Sequence, residues 1–240
     1  MAKRVKPADV RRRLSNDLLN LSLVLGRTSS SVVLNSDVLK SAANQCLQDR
    51  GGFWEYQVAG LMLNVDAPQN VLPKNAGKKL NLTIDLDLCG SYDEESENFF
   101  EKLILKVRIE TEDGKNMCSW HFDRHIFEEG DESNDAHPLF HFQHGGHEMK
   151  ELADSLGKVL LLPAPRMASP PMEAVLCIDF LLSNFAGGEW KALRDDATYL
   201  RLLQEAQVRL WKPYVERLSS WWSGGQGTKD SILKLWPQLA

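Results

Sequence analysis

Several common features are missing from this sequence of 240 residues, and each absence removes a class of function. It has no run of apolar residues near the roughly 18 needed to span a membrane. Its four cysteines, Cys46, Cys89, Cys118 and Cys177, stand far apart with no C-x-x-C pair, so neither a zinc ribbon nor a disulfide framework is written into it. Four lone thiols without a signal peptide predict a reducing, cytoplasmic setting. There is no excess of positive charge: 28 basic and 33 acidic residues leave a formal charge of −5, so no global basic field points to nucleic acid. The sequence lacks G-x-x-x-x-G-K-[ST], a G-x-G-x-x-G after a strand, G-x-S-x-G and H-E-x-x-H, which argues against triphosphate hydrolysis, dinucleotide redox chemistry and zincin proteolysis. Histidine is also scarce. Six occur, none before His121 and none after His147.

What is present begins with helix. Val10, Leu14, Leu18, Leu21 and Leu25 recur at helical spacing, with Gly26 as the expected stop, and Ser36 is the expected cap of a second helix carrying Val38, Leu39, Ala42, Ala43, Cys46 and Leu47. Lys3, Arg4, Lys6, Arg11, Arg12 and Arg13 crowd the first residues against Asp9 alone. They form either a solvated basic face or a contact for a phosphate backbone or an acidic partner.

The middle of the chain changes period. Leu80, Leu82, Ile84, Leu86 and Leu88 alternate with polar residues, as in a half-buried strand. Leu103 to Thr111 and Asn116 to His125 flank Glu112-Asp113-Gly114-Lys115, and Asp-Gly between alternating runs predicts a hairpin with a two-residue type I′ turn. Counting outward from that turn sets Ile109 against Cys118, Val107 against Trp120 and Leu105 against Phe122 on an apolar face. The opposite face receives Arg108 against Ser119 and Lys106 against His121, followed by Asp123 and His125. A strand from Leu139 would add His141 and Gln143 to that polar face while burying Phe140 and Phe142, and Lys158 to Leu162 reads as another short strand.

The last part returns to helix. Ser169-Pro170-Pro171 is the expected opening of a buried helix from Met172 to Phe185 whose one mid-helix charge is Asp179. An amphipathic helix over about Glu189 to Trp222, kinked before Pro213, should follow, with Trp211, Trp221, Trp222 and Trp236 as core or partner contacts. The expected fold is therefore α+β: a central antiparallel sheet with N- and C-terminal helices on its apolar face. Residues 1–50 would be a helical segment, 51–165 the sheet and 166–240 a helical region of one compact domain.

The polar sheet face is the candidate site. His121, Asp123, His125 and His141 are the candidate catalytic residues; Lys106, Arg108, Gln143 and Arg166 the substrate or anion contacts; and Asp179 a supporting carboxylate for a histidine or Arg166, or else half of a structural ion pair. Three readings stay open. His121, Asp123 and His141 have the donor types for a divalent metal such as zinc or manganese, and the H-x-D spacing is also that of non-haem iron facial triads. Two imidazoles beside cations could instead perform metal-free acid–base chemistry on a phosphodiester. Singly, each histidine is an ordinary occupant of a half-exposed strand; it is their concentration in one window that favours function. The overall alternatives are a hydrolase or nuclease-like enzyme and a non-catalytic adaptor that binds a protein partner through the basic N-terminus or the tryptophan-rich C-terminus.

Across residues 103–147, the hairpin, the Phe122-Asp123 step and the run His137-Pro138-Leu139-Phe140-His141 resemble TumE-like toxins of bacterial toxin–antitoxin systems. The resemblance implies a bacterial setting and a toxin or defence role, with nucleic acid as target. It carries no catalytic assignment, and the long helical flanks have no counterpart in such small proteins.

Overall fold

The computed structural model describes residues 7–69, 71, 73, 76–91, 99–124, 139–145, 149 and 167–220. Helices α1 (Pro7–Thr28) and α2 (Val38–Cys46) precede strands β1 (Phe53–Asp66), β2 (Lys79–Ser91), β3 (Lys102–Thr111), β4 (Met117–Arg124), β5 (Phe140–His144) and β6 (Met167–Ala168). Helices α3 (Ala174–Phe185), α4 (Gly187–Arg194) and α5 (Ala197–Ser220) follow. The strands form one antiparallel meander in the order β1-β2-β3-β4-β5-β6. This is the expected α+β architecture.

The core lies between the helices and one face of the sheet. Alternation on β2 buries Leu80, Leu82, Ile84, Leu86 and Leu88, as their spacing predicts, and β3 buries Leu103, Leu105, Val107 and Ile109 beside them. Helix α3 is packed beneath β4 and β5: Phe180 meets Phe142 with ring centroids 5.1 Å apart, and Phe185 meets Trp120 at 5.4 Å. From α5, Tyr214 reaches the edge of Phe140. The polar side chains of β4 and β5 must then point away from the helices, because successive residues of a strand face opposite ways.

The hairpin register matches the expected one at every pair: Ile109–Cys118, Arg108–Ser119, Val107–Trp120, Lys106–His121 and Leu105–Phe122. The turn itself differs from expectation. Among the described residues positive φ is confined to glycines, so Asp113 is not in the left-handed region, whereas Gly114 is, with φ +68°. The loop is four residues, Glu112 to Lys115, closed by Thr111 N–H donating to Asn116 O at 3.0 Å and Gly114 N–H to Thr111 O at 2.9 Å. Widening a two-residue turn by one residue on each side leaves the pairing unchanged, so the register survives a different turn. Asp113 accepts from Lys115 N–H at 3.1 Å and lies 2.7 Å from Thr111 Oγ1, and these contacts hold its carboxyl down to about 2.

Other expectations about element ends need correction. Helix α1 runs through Gly26 to Thr28, and Ser36 accepts hydrogen bonds on its carbonyl, from Ser22 Oγ and Leu39 N–H, while Asp37 occupies the cap position of α2. Ser169 does not cap α3. Its N–H extends the sheet edge by donating to Phe140 O, and Glu173 is the cap, accepting from Val175 N–H at 3.0 Å. The single helix expected over Glu189–Trp222 is two helices, because Asp196 Oδ1 accepts from the N–H groups of Thr198 and Tyr199 and so starts α5 afresh; Pro213 sits inside it. Strand β1 was not legible as a strand, and its bulge explains why. Trp54, Tyr56 and Val58 are buried, the phase slips at Ala59-Gly60, and burial resumes at Leu61, Leu63 and Val65. The strand expected at Lys158–Leu162 lies outside the described residues.

No helix among the described residues is long and apolar enough to cross a membrane.

Candidate metal centre

Two neighbouring strands build the site. His121 and Asp123 are two apart on β4 and so project from the same face, and Asp123 is the direct antiparallel partner of His141 on β5. The apolar residues between them, Phe122 and Phe142, turn the other way, where their rings meet at 4.8 Å. Phe122, fully buried, and Phe142, packed against the core, thus fix the direction of the imidazoles and the carboxylate. Had the register slipped by one residue, the histidines would enter the core and the phenylalanines would take their place.

Asp123 sits between the two imidazoles. Its Oδ1 lies 3.1 Å from His141 Nε2 and its Oδ2 lies 3.5 Å from His121 Nε2. The rings are nearly perpendicular, with centroids 6.5 Å apart. One ligand atom from each residue falls within 4.8 Å of the others, a span that a single cation can bridge. His141 is buried at 3% side-chain exposure, while His121 and Asp123 are about a quarter exposed, so the cluster opens to one side.

The three donors form a set capable of coordinating a divalent metal. Asp123 Oδ1 is buried and finds no hydrogen bond among the described residues, although His141 Nε2 is within reach in distance. An N–H aimed at that oxygen would have satisfied it. Asp123 Oδ1 therefore keeps its lone pairs unengaged by any donor, and a buried carboxylate oxygen without a partner is expensive. Two imidazoles and one carboxylate suit zinc, iron or manganese and leave coordination positions open.

The residues around the triad fall into register rows. Lys106, exposed on β3, is paired with His121, and Gln143, buried on β5, faces His121 from the other side. Both make further interactions. Arg108 stands in the next row, exposed, with its Nη2 donating to Glu110 Oε1 at 2.7 Å. Met149 packs at the near end of β4, its sulfur 3.2 Å from Ser119 N. His144 pairs with Trp120 and approaches its ring, on the side of the sheet away from the triad. His125 and Arg166 lie outside the described residues.

Asp179 is placed elsewhere. It accepts from Trp190 Nε1 at 2.9 Å, from Arg194 Nη2 at 2.9 and 3.2 Å, and from Tyr199 Oη at 3.1 Å, so it ties α3 to α4 and α5. None of the described histidines is among these partners, and the arrangement is that of a structural ion pair. Sequence inspection did not single out Met149 beside Ser119, because one thioether in a polar stretch carries no periodic signal.

No protein-family model, curated protein or solved structure matches this chain.

Proposed function

We propose that the protein is a metal-dependent hydrolase of nuclease type, with His121, Asp123 and His141 as the ligands of one divalent ion such as zinc or manganese. The observation that carries this reading is the convergence of three donor atoms within 4.8 Å around a buried Asp123 oxygen that has no hydrogen bond. Held by these three residues, a divalent ion would supply Lewis acidity, lowering the pKa of a water and drawing charge from a phosphoryl oxygen. The chain's own residues supply the rest. His141, buried, fixes one side of the site; His121 and Asp123 leave the other open to substrate; Lys106 and Arg108 place cations one strand away, where a phosphodiester backbone would lie. Gln143 and Arg166 complete the proposed substrate contacts, and His125 is a further proposed catalytic residue. The resemblance of residues 103–147 to TumE-like toxins supports a bacterial toxin or defence role with nucleic acid as substrate. The four cysteines, none disulfide-bonded, fit a reducing cytoplasm.

The test is metal binding and phosphodiester cleavage by the same protein. Wild type should take up one zinc or manganese per chain, and His121→Ala, Asp123→Ala or His141→Ala should each weaken binding beyond the roughly 10- to 100-fold typical of changes outside the ligand set. Cleavage of RNA and DNA should vanish with chelator and return with metal. Absence of stoichiometric metal from wild type overturns the reading. Asp123 lies between both imidazoles, so metal-free acid–base catalysis is the alternative, and cleavage that persists in chelator would establish it.

A further inference from the structure

The helical layer encloses a second set of charges, separate from the metal triad. Asp17 lies among the inward residues Leu14, Leu18 and Leu21 of α1 and is itself buried. Arg209 reaches it from α5, Nη1 donating to Asp17 Oδ2 at 3.1 Å. The other guanidinium nitrogen, Nη2, stands 3.6 Å from Oε1 of Glu173, the cap residue of α3. The side chains of Asp17, Arg209 and Glu173 are 6%, 11% and 2% exposed. Glu173 Oε1 and Arg209 Nε and Nη2 make no hydrogen bond.

Two carboxyls therefore share one guanidinium, with Glu173 in the interior and Asp17 at the floor of an open cleft. With every group ionised the cluster holds one uncompensated negative charge. A buried charge without a counter-ion is relieved by binding a proton. The neighbours do not supply the missing cation. Tyr56 from β1, Cys46 from α2 and Cys177 on α3 are neutral; at the surface the Arg201–Glu205 pair on α5 and the Arg12–Asp9 pair on α1 balance themselves, and Arg13, one turn before Asp17, is exposed to water.

We propose that this cluster is a proton-linked latch: α1, α3 and α5 lock together while one buried carboxyl carries a proton, and its ionisation loosens them. Glu173 is the carboxyl that holds the proton, because Asp17 has the short bond to Arg209 and Glu173 Oε1 has none. Burial pushes both carboxyls above the usual carboxylate range, in agreement with this assignment. The sign of the linkage follows. A carboxyl raised in the folded state contributes stability that is complete below its ordinary value and fades as pH rises through the folded one. The latch is placed to matter for the strands above it. Glu173 starts the helix whose Phe180 and Phe185 support Phe142 and Trp120.

Thermal unfolding of the full chain in chelator tests the latch apart from metal binding. Glu173→Gln keeps the shape of the protonated acid and has nothing to ionise. Near about pH 4 it should melt within a degree or so of wild type, and near about pH 8 it should melt several degrees higher. Amide hydrogens of α5 around Arg209 should exchange faster in wild type than in the variant at the higher pH. A variant that melts below wild type throughout, or a difference that does not vary with pH, overturns the latch and makes Glu173 an ionised partner of Arg209. If the variant fails to fold, carbon NMR titration of Glu173 in wild type decides the matter: a midpoint above the ordinary glutamate value supports the latch, and one at or below it overturns it.

Discussion

At the scale of single residues, two positions show how close packing constrains this chain. Asp123 is the first: its carboxylate is held between two imidazoles with one buried oxygen left without a hydrogen bond, an arrangement stable only if something shares that lone pair or if the site tolerates the loss. Gly90 is the second. A Cβ added there would come within 2.2 Å of Phe99 O and 2.4 Å of the Trp54 ring. The obstacle is backbone on one side and a fully buried indole on the other, itself packed against the rings of Phe99 and Phe100, so neither can yield cheaply. Gly90→Ala should lose about 3 kcal/mol or more, at or above the upper end of ordinary overpacking, measured by denaturant unfolding. Gly52, with nothing within 4 Å of its would-be Cβ, is the control, and Gly52→Ala should change little.

At the scale of elements, the legible parts were those where one periodicity persists unbroken. Strands β2 and β3 alternate without interruption, so their inward residues could be read from the sequence, and the Asp-Gly turn centre carried the register on to β4. That counting also placed His121, Asp123 and His141 on one face, because Phe122 and Phe142 leave no other choice. What was hidden is what breaks period or acts through space. The bulge at Ala59-Gly60 shifts the phase of β1, with Gly60 N–H donating to Asp85 Oδ1 and Gly60 O accepting from Asn35, contacts no local pattern announces. The division between α4 and α5 turned on Asp196 acting as a cap inside what reads as one amphipathic run. Asp196→Ala should therefore cost about 1 kcal/mol in thermal unfolding, the usual loss of a capping carboxylate. The turn after β3 gives a pH prediction. Asp113 is held down to about 2 by Thr111 and the Lys115 N–H, so its contribution is present above the ordinary aspartate value and is lost as pH falls toward 2. NMR titration should find its midpoint near 2, and Asp113→Asn should remove that part of the acid-side loss of hairpin order.

At the scale of the whole molecule, the triad lies where the sheet is thinnest. Strands β1 to β3 have 14, 13 and 10 residues, whereas β5 has five and β6 has two, and on the face bearing His141 two pairs of partners, Asp123–His141 and His121–Gln143, join β5 to β4. A cation held by His121, Asp123 and His141 would join β4 to β5 by coordination bonds in addition to backbone hydrogen bonds. Since the unfolded chain does not hold the three donors together, binding favours the folded state by mass action, by about 2.7 kcal/mol at a ligand concentration of 100 times the dissociation constant. For a chain of this size, that amounts to a rise in melting temperature of roughly 5–10 °C. Wild type should show that rise with zinc or manganese, and His141→Ala should not. Hydrogen exchange should locate the gain: added protection should fall on β4 and β5 and leave α5 unchanged, since the Asp17–Arg209–Glu173 cluster that fastens α5 has no part in the coordination. Protection gained in α5 instead, or a melting shift kept by His141→Ala, would place the metal elsewhere and remove the triad as its site.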